Sequence, residues 1–466
     1  MRVFRLALDR CHIVFYPLRG VDGARWDRNI VSAGSHLLLL SCGSAVVNNN
    51  SLLSFATDMV TVSADDLLHE VTTGGSSSDV KHKQPIDGRD QHVWLFEPPA
   101  SQGVLTQDGL TQIVFHKYHA GTYTMLDNFL NPYWTYLTEC LPMNMAPNLV
   151  TALGGMHCVV AYFITWIYLP SFDTLAPNWL LLLNGYCTIA YYTFDCMDGK
   201  QARRTGSSSP LGQLFDHGMD CFCLLAHLST AHTWAMGGNT PWFWASQAAL
   251  QFSFFVAQWE EYYTGILPHA NGQFGVTEVN YGQALLSVIN AFVDRKVVYT
   301  AASLAAIGTA WPAMMTYLIF ASIFRVCSVI GNTKGRFSAL SKLTSPLIVS
   351  IAPFYIPSVA REREVRFIHL TIGLALCLVT IKIIVFSMAK QSYAVIQGDI
   401  LPCLLAAAWV RHDVRLTEAG SHLLWQVLSV WYFCRMLYWT NSFIQQVCER
   451  LDINLFTIKL TKKKKD

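Results

Sequence analysis

The chain has 466 residues, 52% hydrophobic, 13% aromatic and only 14% charged, with a formal net charge of +2. So apolar a composition excludes an ordinary soluble multidomain protein and describes a polytopic membrane protein. The near-neutral balance argues against a nucleic-acid partner, and the thirteen singly scattered cysteines read as buried thiols, with no disulfide framework or zinc site.

Residues 1–108 are rich in Asn, Gly, Ser, Pro and charge, the composition of a poorly ordered extension. Within them, 35–47 is apolar but too short to span, and Asn49–Ser51 forms a glycosylation sequon that a cytosolic location would silence. Charge interrupts the apolar start at once, so no signal peptide is expected and the first spans must direct insertion. Residues 109–148 form an interfacial region. There LDNFLNPYWTYLTECL mixes aromatic and polar residues at helical spacing, which suits either a helix lying in the membrane interface or an ordinary packing helix.

Pro147 and Asn148 supply the start of a first span. Apolar windows then follow at 149–169, 179–195, 215–236, 242–262, 284–292, 297–311, 314–330, 347–357, 367–388, 400–409 and 423–443. Several match about 30 Å of hydrocarbon and others fall short, so the expected fold is an all-α bundle of about eight to ten transmembrane helices. The second span is expected to end near Asp198 and the third to begin at Ser209 and Pro210, an N-cap followed by proline at the first helical position. Lys200, Arg203 and Arg204 fall between them, and the positive-inside rule puts that loop in the cytosol.

The same stretch, DCMDGKQARRTGSSSPLGQLFDHGMDC (195–221), concentrates aspartates where a membrane should begin. Residues three or four apart share a helix face, so Asp195 and Asp198 point together, as do Asp216 and Asp220. Crowded carboxylates near a bilayer need positive charge among them. Hard divalent cations with oxygen ligands fit, and two such ions can clamp the attacking and leaving oxygens of a displacement at phosphorus. Gly199 and Gly212 allow close backbone approach, Ala202 keeps a face small, and Arg203 offers bidentate contact to phosphate.

The pattern D-x2-D-G-x2-A-R-x8-G-x3-D-x3-D, met at Asp195, Asp198, Gly199, Ala202, Arg203, Gly212, Asp216 and Asp220, resembles the signature of the CDP-alcohol phosphotransferase class-I family. DGKQARRTGSSSPLGQLFDHG is similar to the eukaryotic choline/ethanolamine phosphotransferases, and so are HKY (116–118), NPYWTYL, APNLVT, QWEEYYTG (258–265) and GVTEV (275–279). The resemblance is specific over about 110–280 and becomes a looser pattern of spans beyond. It implies transfer of phosphoethanolamine or phosphocholine from CDP-ethanolamine or CDP-choline to diacylglycerol, with release of CMP, the last step of the Kennedy pathway.

By position, the resemblance implies Mg²⁺ or Mn²⁺, two ions, on Asp195, Asp198, Asp216 and Asp220. Gly199, Lys200, Ala202, Arg203, Gly212 and Asn148 would hold the nucleotide and diphosphate. Asp220 would take the hydroxyl proton, although a metal-ligating carboxylate is a weak base; His217 is its rival or a partner orienting Asp216. Animal relatives commonly carry Glu at the position of Gln213, so help with proton removal must come from another group here. The family also implies catalytic spans over 149–280, further spans over 281–458 and a homodimer. The active site is expected at the cytosolic ends of the second and third spans, facing CDP-aminoalcohol from water and diacylglycerol from the lipid bilayer.

Lys382 and Arg435 stand inside apolar windows and are expected to snorkel to the nearer interface. Trp259, Glu260 and Glu261 either line an aminoalcohol pocket or form an aromatic-belt residue beside two solvated acids. The basic tail, 459–466, places Lys463 and Lys464 as in a dilysine retrieval signal, which points to the endoplasmic reticulum or Golgi; a basic tail on anionic lipid is the simpler alternative. A cation-coupled transporter is the rival from another class, disfavoured because the acids cluster at one rim and no internal repeat is visible.

Overall fold

The computed structural model describes residues 95–96, 104–119, 121–172, 174–231, 241–271, 274–295, 301–333, 335–413 and 415–459. These all belong to one compact unit, 80–466. The expectations for 35–47, for Asn49 and for Lys463 and Lys464 lie outside the described residues.

Helices dominate. A short helix α1 (Gln107–Phe115) and α2 (Met125–Glu139) precede α3 (Pro147–Tyr168), α4 (Asn178–Thr205), α5 (Pro210–Ala231) and α6 (Pro241–Thr264). A two-stranded antiparallel hairpin, β1 (Ala270–Asn271) and β2 (Phe274–Gly275), leads into α7 (Val276–Phe292). Then come α8 (Ala301–Asn332), α9 (Arg336–Ser341), α10 (Thr344–Tyr355), α11 (Ser358–Arg363), α12 (Val365–Met388), α13 (Leu401–His412) and α14 (Glu418–Leu451).

Among the described residues, three stretches are long and apolar enough to cross a membrane: Pro147–Tyr168, Arg336–Tyr355 and Val365–Met388. From Ala301 onward the windows at 297–311 and 314–330 lie on the single helix α8, which runs through Pro312. The polar extension expected to reach residue 108 ends earlier. Leu105 is only 2% exposed, the backbone N–H groups of Val104 and Leu105 donate to Gln446 Oε1, and Thr106 caps α1.

Two groups of helices share α5 as their border. On one side α3 packs against both α4 and α5, while α4 also carries α7 and α2. The close crossing of α3 on α4 depends on Gly154, and Gly155 leaves room for the Met219 side chain of α5. A Cβ on Gly154 would lie 2.8 Å from Phe194 of α4, and one on Gly155 would lie 2.6 Å from Met219 of α5. On the other side α12 is buried along its whole length between α5, α6, α10 and α14.

Lys382 and Arg435 do not snorkel. Lys382 is fully buried with Nζ 2.6 Å from Asp399 Oδ2, and Arg435 Nε donates to Asp399 Oδ1 at 2.8 Å. Burial pushes the Asp399 carboxyl up, and the Lys382 ammonium and Arg435 guanidinium outweigh it, leaving the group below its ordinary range. All the described cysteines are free thiols.

Candidate active site

Helix α4 continues two turns past Asp198 and stops at Gly206, whose φ of 66° is a left-handed conformation that glycine adopts without strain. Lys200, Arg203 and Arg204 therefore sit on helix, not in a loop. Their neighbours explain the extension. Gln201 Nε2 donates to the carbonyls of Pro142 and Met145, and Arg204 donates to those of Thr138, Glu139 and Leu141 at the end of α2. As expected, α5 begins with Pro210, and Ser209 Oγ accepts the Gly212 N–H at 3.2 Å.

This geometry brings three of the four aspartates together. One carboxylate oxygen from each of Asp195, Asp216 and Asp220 lies within 4.8 Å of the other two. Asp195 Oδ1 and Asp216 Oδ1 are buried without a hydrogen-bond partner, and no lysine or arginine among the described residues pairs with any of the four. Three converging carboxylates with unpartnered oxygens are a hard, all-oxygen donor set, which fits a divalent cation.

Asp198 lies outside that group of three but neighbours it, buried and accepting a hydrogen bond from Thr151 of α3. The hydroxyl of Tyr191 donates to Asp220 Oδ1. His217 is buried with Nδ1 unpartnered, and its Nε2 is 3.9 Å from Asp216 Oδ2.

The expected nucleotide-binding residues divide. Arg203 is exposed, with Nη1 lying 3.5 Å from where a Cβ on Gly199 would sit, and among the described residues its guanidinium forms no hydrogen bond or ion pair. Gly212 faces Asn148, whose Oδ1 is 3.7 Å from a Cβ placed there, while Asn148 Nδ2 donates to Leu455 O at 2.9 Å. Ala202 accepts the Ser207 N–H in the turn that ends α4. Lys200 is engaged elsewhere: Nζ donates to Asn131 Oδ1 at 2.5 Å and Thr135 Oγ1 at 3.0 Å, clamping α2 to α4.

A second polar chain borders the carboxylates. Gln213 donates from Nε2 to Glu261 Oε1 at 2.9 Å, and its Oε1 meets His116 Nε2 at 2.7 Å. Burial lowers the pKa of His116 below its ordinary value. Tyr118 packs edge-on to His217 and meets His269 Nε2 through its hydroxyl at 2.7 Å. Burial first, and then the negative charge of Glu261 and Asp216, push the Tyr118 hydroxyl well up, so it stays protonated. Trp259 and Glu260 do not line this region. Trp259 is fully buried and donates to Ala339 O at 3.0 Å, and Glu260 pairs with Arg325 at 2.7 Å.

Residues 144–269 match the family model described as CDP-alcohol phosphatidyltransferase. The chain is 36% identical to Choline/ethanolaminephosphotransferase 2 of Arabidopsis thaliana over 194 residues, which is 41% of this chain and 49% of that protein. It is 37% identical to Cholinephosphotransferase 1 of Homo sapiens over 184 residues, 39% of this chain and 45% of that one. With these named relatives, then, the match spans about half of their length. With a Dictyostelium discoideum protein named Uncharacterized CDP-alcohol phosphatidyltransferase class-I family protein 3, the identity is 30% over 394 residues, covering 76% of this chain and 98% of that protein.

Proposed function

Because the chain belongs to the CDP-alcohol phosphatidyltransferase class-I family, we propose that it moves phosphoethanolamine, phosphocholine or both from a CDP-aminoalcohol to the free hydroxyl of 1,2-diacylglycerol or its alkyl-acyl analogue. The products are CMP and phosphatidylethanolamine or phosphatidylcholine. The observation that carries this reading is the meeting of Asp195, Asp216 and Asp220 within 4.8 Å, with two oxygens unpartnered, inside the family-matched segment. The names of the Arabidopsis and human relatives supply the aminoalcohol class.

Two divalent ions of the Mg²⁺ or Mn²⁺ type would be held by Asp195, Asp216 and Asp220 with Asp198 beside them, and when bound they neutralise the diphosphate and stabilise the attacking and leaving oxygens. Arg203 binds the donor's phosphates, since its guanidinium is exposed and unengaged over the small Gly199. Thr151 fixes Asp198, and Tyr191 fixes Asp220. The lipid hydroxyl attacks the phosphorus that carries the aminoalcohol, the bond to the bridging oxygen breaks, and CMP leaves with that electron pair. Asp220 receives the hydroxyl proton on the oxygen that Tyr191 does not occupy. His217, with Nε2 3.9 Å from Asp216 Oδ2 and Nδ1 unpartnered among the described residues, is the competing receiver. Catalysis is then mainly positioning and charge neutralisation.

The bundle is read as about eight to ten spans, with α2 lying along the interface: Met125, Phe129, Tyr133 and Tyr136 form an exposed stripe opposite the face that packs on α4. Lys200, Arg203 and Arg204 share an end with the aspartates. Leu455, close to the basic tail, joins that end through Asn148. This common basic rim supports a cytosolic active site in the endoplasmic-reticulum membrane.

The test is CMP release by the protein in lipid nanodiscs containing diacylglycerol, with CDP-ethanolamine or CDP-choline as donor. Release should vanish with chelator and return with Mg²⁺ or Mn²⁺. Asp216→Asn releasing CMP at the wild-type rate would overturn the assignment. Comparison of Asp220→Asn with His217→Ala identifies the proton receiver: retention of most activity in His217→Ala supports Asp220.

A further inference from the structure

Resting on that reading of the reaction, we propose that Glu261 is the counter-ion of the donor's ammonium group, which makes the site selective for a primary aminoalcohol of the ethanolamine type over a quaternary one. Glu261 lies near the end of α6 and is only 3% exposed. Its Oε1 accepts one hydrogen bond, from Gln213, and its Oε2 has no partner. Among the described residues no lysine or arginine forms an ion pair with it, whereas the adjacent Glu260 pairs with Arg325. The imidazole at the other end of the Gln213 bridge, His116, is kept uncharged near neutral pH by burial, and burial also lowers the pKa of His269. A buried carboxylate with an open oxygen and no cation is costly, and a cation bearing N–H donors is the ligand that completes it.

Its position suits the amine end of the transferred group. Gln213, which carries Glu261, is one helical turn before Asp216 on α5. Tyr118 packs edge-on to His217, the residue after Asp216, and lies within electrostatic reach of Glu261 as well, so it links the lone carboxylate to the convergent ones. In a phosphoaminoalcohol only two carbons and an oxygen separate the nitrogen from the transferred phosphorus, so the two ends need neighbouring sites of this kind. The Tyr118 ring, with the His217 and His269 rings edge-on to it, adds an aromatic surface to this part of the site. A primary ammonium donates directly to Oε2. A trimethylammonium has no N–H, leaves that oxygen unsatisfied, and is better held by aromatic faces alone.

The experiment compares kcat/KM for CDP-ethanolamine and CDP-choline in the full chain in nanodiscs, wild type against Glu261→Gln. The wild type should favour CDP-ethanolamine. The variant should lower the ethanolamine-to-choline ratio on the order of tenfold, chiefly through KM for CDP-ethanolamine, because a charge-assisted hydrogen bond is replaced by a neutral one. Glu261→Asp should keep part of the preference. An unchanged ratio in Glu261→Gln, or an equal fall in kcat for both donors with KM unmoved, overturns the assignment. Glu261→Met, of similar volume, replaces Glu261→Gln if the latter does not yield folded protein. If the wild type releases CMP from neither donor, the reaction itself is misread. Equilibrium binding of the two donors then decides on Glu261: a preference for CDP-ethanolamine lost in the variant supports it, and equal binding by the wild type overturns it.

Discussion

At the residue scale the four aspartates divide into a convergent three and a tethered one. Asp195→Asn or Asp216→Asn should lower CMP release by about a hundredfold or more, because each removes a charged oxygen from the point where phosphate charge must be neutralised. Thr151→Ala should act differently, leaving Asp198 buried without its donor at a cost of roughly 1–3 kcal/mol of stability. Thermal unfolding alongside turnover separates the two effects. The joint spacing made all four legible as one acidic face, since helical periodicity tells which residues look the same way. It does not tell what they look at. Thr151 is 47 positions from Asp198, and nothing local announces the pair. Tyr191 was within reach of the same argument, one turn before Asp195, yet its partner is Asp220 on the next helix. Glu261 was visible only as one of two adjacent acids, and separating it from Glu260 required knowing that Arg325 meets the latter.

At the element scale the clearest departure is α12, whose buried lysine answers to a short 3-10 turn at Gly398–Ile400 and to α14. Lys382→Ala should cost about 3–5 kcal/mol, because it strands the Asp399 carboxylate without its closest charge. The pH dependence follows from the direction of the Asp399 shift. A carboxyl held lower in the folded than in the unfolded chain adds stability above its unfolded value, and that stability is lost as pH falls through the folded one. Asp399→Asn should therefore destabilise strongly near pH 7 and much less in acid, as read by thermal unfolding across that range. An apolar window gives no hint of such a partner, since Asp399 is remote in sequence from Arg435 and its charge sits in a turn between hydrophobic runs. Helix starts were easier: Ser209 with Pro210, and Pro147, are local chemistry and appear where expected. The end of α4 lies beyond what its own composition indicates, because contacts to α2 and the residues after it carry the helix to Gly206.

At the scale of the whole molecule, the docking of Val104 and Leu105 on α14 divides the amino-terminal region functionally. Deleting 1–94 should leave CMP release within about twofold, whereas deleting 1–108 removes the Thr106 cap and the buried Leu105 and should lower both yield and unfolding temperature. Equal behaviour of the two truncations would contradict that division. Composition made the apolar, helical character legible, but it could not say how the helices group around α5. The glycine pair in α3 has a consequence for how such a catalyst can diversify. Where Gly154 presses against Phe194 Cβ and the Tyr191 carbonyl of α4, even a methyl group would force α3 and the aspartate-bearing α4 apart, whereas at Gly155 the flexible Met219 side chain of α5 would have to move aside. That wall is closed to variation, so descendants of this chain that accept larger or differently charged alcohols should carry their changes on the opposite side, in α6 and the segment around Tyr118.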